Sequence, residues 1–146
     1  MAGDAVELSG FKELDAALAK FSKSTERALL RRVATRALEP FVTEAKRLAP
    51  VASGNLRDSI TIGTKLTGNA RREARRDPPD GVRVFAGTAD REAVPNEFGT
   101  VRAPAQPFMR PAWDTTSNLV LARVMDDLAD EIDRTAQRVA ARAAKG

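Results

Sequence analysis

From Pro95 to Trp113 the chain reads PNEFGTVRAPAQPFMRPAW, with four prolines, two phenylalanines and the only tryptophan. Each proline fixes φ and removes a backbone donor, so the stretch suits neither a strand nor a helix. It is also too apolar for a solvated linker. The expectation is an irregular clamp held along one path, with Phe98, Phe108, Met109 and Trp113 as its apolar anchors. Gly99 permits a sharp turn after Phe98, and Pro111 suits the first turn of a following helix. Such a clamp packs inside its own subunit, against a neighbour, or both.

Periodicity fills in the rest. Val6–Leu8 alternates like a short edge strand, and Ser9 is placed to cap a helix over 10–21, where Phe11, Leu14, Leu18 and Phe21 recur at helical spacing. SKST at 22–25 breaks that helix and caps the next. Leu30, Val33, Ala37, Phe41, Ala45 and Leu48 form one stripe of a helix over 25–49, with Arg27, Arg31, Arg32, Arg36, Lys46 and Arg47 covering the other faces. Pro40 predicts a kink near 36–40, and Pro50 a stop. Residues 51–60 open as a loop in which Gly54 takes a positive φ. Ile60, Ile62 and Leu66 then alternate as a strand, and 82–87 is the return strand. A long helix follows the clamp, with Leu121, Val124, Leu128, Ile132, Thr135 and Val139 as its apolar stripe. Its acids precede its bases, which suits the helix dipole.

These elements predict an α+β fold: an N-terminal helix pair, a small antiparallel sheet with a long hairpin loop, and a long C-terminal helix. All 146 residues fit one domain, with 64–81 as an extended basic loop and 140–146 as a fraying tail. So small a sheet has open edges and is marginal alone, which makes sharing between subunits attractive.

Chemistry is sparse. With no histidine, cysteine or tyrosine, the usual triads, dyads and zinc sites are missing. The reading is therefore of no catalytic residue, no cofactor and no metal. Asp77, Asp80, Asp90 and Glu92 fit turns better than an ion site. ASGNLRDS lacks the spacing and lysine of a phosphate loop, and Ser53 has no visible base. RREARR at 71–76 is the sharpest charge cluster. Arg71, Arg72, Arg75 and Arg76 fit phosphate contacts, an acidic docking surface or plain solvation, and no aromatic is interleaved for base stacking. The net charge of +4 does not choose among these. No apolar run approaches the roughly 18 residues of a membrane helix, and no secretory leader is visible at the start.

Two segments, APVASGNLRDSI at 49–60 and NEFGTVRAPAQPFMRPAW at 96–113, stand in order between the helix pair and the last helix. Together they resemble the lambdoid-phage gene-product-ten family of tailed bacteriophages, across roughly residues 6–135. Here REAVPN replaces an aromatic-containing segment before EFGT, and the basic loop is longer than the family pattern. The resemblance implies a non-enzymatic virion protein of the neck, acting in head–tail joining or tail completion and assembled in the host cytoplasm. It implies copies of itself in a ring, sixfold to match a tail, with neighbouring neck and tail proteins as partners. Genomic DNA would pass through the lumen, with no membrane involved. Phe98, Phe108, Met109, Arg110, Trp113 and the four loop arginines would be the contact residues, and Gly54 and Gly99 the turns. The alternative is a nucleic-acid-binding protein that uses Arg71, Arg72, Arg75 and Arg76.

Overall fold

A computed structural model describes residues 11–51, 54–64, 72, 75–76 and 81–146. Along them the order is α1 (Phe11–Leu18), α2 (Lys23–Ala37), α3 (Glu39–Leu48), α4 (Asn55–Ser59), β1 (Thr61–Gly63), β2 (Phe85–Gly87), α5 (Ala93–Phe98) and α6 (Met109–Ala144). This is the expected α+β architecture. The readings of Val6–Leu8, Ser9, Ser53, Leu66, Arg71, Asp77 and Asp80 fall outside the described residues.

Local chemistry accounts for most boundaries. Ser22 caps α2, its Oγ accepting the N–H of Thr25 at 3.3 Å. The helix expected over 25–49 is divided at Leu38 into α2 and α3. Pro40 has no N–H to give the carbonyl four residues back, and its ring crowds that turn. The 51–60 segment is more ordered than a loop. Gly54, at φ +79°, starts the helical turn α4, and Ile60 closes it by donating its N–H to the Arg57 carbonyl. With Ile60 spent as a cap, the strands are three residues each, shorter than the alternation suggests. They pair antiparallel, Ile62 opposite Ala86, and lie against α3.

Helix α6, 36 residues long, is the axis on which α1, α2 and α3 pack. Its seam is Ala112, Thr116, Val120, Leu128 and Ile132, completed by Thr135 and Glu131. The sequence stripe through Leu121 and Val139 is therefore displaced; Leu121 is half-buried and Val139 exposed. A step of four residues advances about 40° around a helix of 3.6 residues per turn, so this seam winds. Its early part faces α3 and its later part α2, which the break at Leu38 turns to follow it.

The seam produces two cores. Ala37, Phe41, Ala45, Leu56, Ile60 and Phe108 gather around Ala112 and Val120. Leu18, Leu29 and Val33 gather around Leu128 and Ile132, with Leu29 in the place expected for Leu30. Val124 touches both. The second core is edged by Glu131, a buried carboxylate. Arg32 Nε and Arg36 Nη2 each donate to it at 2.9 Å, and Arg138 Nη2 at 3.0 Å. The Arg36 hydrogen bond, aided by Arg32, outweighs burial and holds the Glu131 carboxyl below the usual range. Arg32 and Arg36 are thus drawn to a partner across the helix pair, where sequence suggests a solvated face.

Phe108 is fully buried where α3, α4 and α6 meet, so Phe108→Ala should lower stability by about 3–5 kcal/mol. Denaturant unfolding checks this. Trp113, which is half exposed and makes an edge-on contact with Phe41 at 5.7 Å, should cost less on truncation.

Candidate functional site

The proline-rich stretch is two helix ends joined by a tight loop. Pro95 lies inside α5, and Met109 to Trp113 open α6. Both prolines are tolerated because a helix's first turn has no intrahelical use for its N–H groups. Gly99 ends α5 at φ +77°, where a Cβ would sit 2.8 Å from the Ala105 nitrogen. Neither the left-handed backbone nor that space admits a larger residue. Thr100 then closes the loop: its Oγ1 accepts from the N–H groups of Arg102 and Ala103. Gln106 N–H returns to the Asn96 carbonyl at 2.7 Å.

Glu97 fastens the two helices. Its Oε2 accepts the N–H groups of Phe108 at 2.9 Å and Met109 at 3.0 Å, and its Oε1 that of Arg110 at 3.0 Å. The start of α6 has no side-chain cap of its own, so a carboxylate from α5 supplies it. Burial pushes the Glu97 carboxyl up, but the three N–H donors together outweigh it and hold the group below the usual range.

This clamp fixes one wall of a groove of about 800 Å³. Its apolar lining is Phe41, Ala93, Val94, Phe98, Phe108, Met109 and Trp113, and its charged lining is Glu97, Arg110 and Asp114. Phe98 is 78% exposed, Val94 65% and Trp113 46%. Five of the anticipated contact residues, Phe98, Phe108, Met109, Arg110 and Trp113, therefore line one groove. Phe108 is its buried floor, and Phe98 is a rim residue facing solvent. Arg72, Arg75 and Arg76 are exposed and are not part of it. Of the acids considered for an ion, Asp90 is a turn residue whose Oδ1 accepts the Glu92 N–H. Among the described residues no cluster of three or more metal-ligating side chains forms. No described helix is long and apolar enough to cross a membrane.

Sequence reasoning missed Glu97 and Glu131. Glu97 lies within EFGT but carries no sign of its role, because a cap supplied from eleven residues away has no local signature. Glu131 sits beside Ile132 at the seam, a position at which a charge implies a buried partner.

A family model described as "Bacteriophage HK97-gp10, putative tail-component" matches residues 12–88, which include APVASGNLRDSI and stop short of Glu97. No curated protein matches, and no solved structure matches.

Glu97→Gln keeps an acceptor but loses the charge that gathers three donors, and should lower stability by about 0.5–2 kcal/mol, the range for a lost cap. A carboxyl whose folded pKa is depressed stabilises above its ordinary value of 4.5 and loses that contribution as pH falls through the lower folded value. Thermal melts across the acid range should therefore show a shallower loss of stability in Glu97→Gln than in the unmodified chain.

Proposed function

This chain belongs to the HK97 gp10-like family of bacteriophage tail components, and from that premise we propose that it is a ring-forming neck subunit acting in head–tail joining or tail completion. The observation that carries this reading is the apolar groove between α5 and α6. A protein destined to remain alone has little reason to hold Val94, Phe98 and Trp113 at the surface of a rigid clamp. Their backbones are fixed by Glu97 and Gly99, so little conformational entropy is lost when a neighbour covers them. Arg110 and Asp114 supply the polar edge such a contact uses for register. A head-to-tail contact of this kind generates a ring when its rotation closes. Six copies would match a tail, with DNA passing through the lumen and adjoining neck and tail proteins above and below. The role is structural rather than enzymatic, and the protein acts within the virion after assembly in the host cytoplasm.

Sedimentation velocity over a range of concentrations tests the ring. The unmodified chain should form a closed oligomer of about six copies. Val94→Glu with Phe98→Glu should remain monomeric with a melting temperature little changed, since exposed substitutions usually move stability by no more than about 0.5 kcal/mol. An oligomer indifferent to both charges would reject the groove as the contact.

The basic loop belongs to a separate contact in this reading, docking on fixed carboxylates of an adjoining ring. Replacing Arg71, Arg72, Arg75 and Arg76 by serine should leave the subunit folded and lower the yield of joined, infectious particles. A normal yield would mean that the charge merely solvates the loop.

A further inference from the structure

At the far end of α6 from the groove, two adjacent depressions run between α2 and α6. One is lined by Arg32, Arg36, Glu131, Arg134 and Arg138, with Gln137 and Ala141. The other is lined by Arg32, Arg138 and Arg142, with the hydroxyl residues Ser24, Thr25 and Thr135. They share Arg32 and Arg138, so they form one trough. Five arginines and a single carboxylate line it. We propose that this trough binds the phosphate backbone of nucleic acid.

Glu131 is the device that makes the trough a site rather than a scatter of cations. It fixes Arg32, Arg36 and Arg138 through donors at 2.9–3.0 Å, which uses only part of each guanidinium's five N–H groups. Arg36 Nε is buried with no acceptor among the described residues. The side chains of Arg134 and Arg142 make no hydrogen bond or ion pair among the described residues. Asp127 and Glu39 pull on Arg36 from a distance, but neither lines the trough. The result is a preorganised set of planar donors with charge to spare, the arrangement suited to phosphate oxygens.

The lining also separates nucleic acid from an acidic protein. Its only apolar members are Ala28, Val139 and Ala141, which give no pocket for the buried anchor of a protein contact. A polyanion needs none, because its affinity comes from neutralised phosphates and released counterions. Contacts confined to the phosphate backbone carry no sequence information, so binding would be indifferent to base sequence. The site is independent of the ring and of the basic loop.

Fluorescence anisotropy of the full chain with a labelled DNA duplex of arbitrary sequence, titrated from low to moderate salt, tests this. Binding should weaken steeply with salt. Arg134→Gln with Arg142→Gln should reduce the log–log salt slope by about 2 and weaken low-salt binding, with the melting temperature unchanged. The corresponding double lysine variant should keep most of the slope. Should the double glutamine variant unfold, Arg142→Gln alone, on the exposed end of α6, should reduce the slope by about 1. Absence of binding at low salt would overturn the proposal. So would equally tight binding of labelled polyglutamate, which would assign the trough to an acidic protein. A full slope in the glutamine variants, with loss instead on changing Arg72, Arg75 and Arg76 to serine, would move DNA binding to the loop.

Discussion

Helix α6 begins where nothing in its own sequence can finish its first turn. Phe108, Met109 and Arg110 present N–H groups without intrahelical acceptors, and the residues ahead of them are proline-rich. Glu97 resolves this from outside, taking all three donors on one carboxylate. The placement of Phe108 in the first core depends on that clamp, and so does the angle at which α5 meets α6. Without it, the bond from Gln106 N–H to the Asn96 carbonyl would be left to hold the two helix ends together. The two halves of the proline-rich stretch, EFGT and PFMRPAW, are thus one device: the first carries the acceptor and the turn, the second the donors and the plug.

Glu131 repeats the same physics at the other end of the axis, with guanidinium groups in place of backbone amides. A carboxylate removed from water is costly unless its oxygens are fully occupied, and here Arg32, Arg36 and Arg138 occupy them. The arrangement ties α2 to α6 along the edge of the second apolar core. Past Thr135, every side chain of α6 is exposed, so polar contacts are the last ones that hold the helix pair together.

Much of the architecture was legible in sequence because helices announce themselves by period. The α1 stripe, the break at Pro40, the cap at Ser22 and the positive φ of Gly54 and Gly99 all rest on local chemistry and could be read from neighbours in the chain. Clustering of Phe98, Phe108, Met109, Arg110 and Trp113 followed from the confinement that prolines impose. What escaped was set by tertiary geometry. The α6 seam winds because its four-residue step outruns the 3.6-residue turn, so a straight stripe pointed to Leu121 and Val139 where Thr116 and Val120 are buried. The strands shortened because Ile60 serves α4 instead. Glu97 takes donors 11 to 13 residues away, and Glu131 takes Arg32 and Arg36 from 99 and 95 residues away, separations that leave no periodic trace.

The two cores meet at a single residue of α6, Val124, and the helices opposite it are interrupted at Leu38. Beside α6, only the end of α2 at Ala37 reaches from the second core into the first. Val124 and Arg138 lie about 21 Å apart along α6, at about 1.5 Å per residue. Over such an arm, a tilt of about 5° between the two lobes displaces the arginine end by about 2 Å. A small rotation imposed at the aromatic end would then arrive as translation among the arginines.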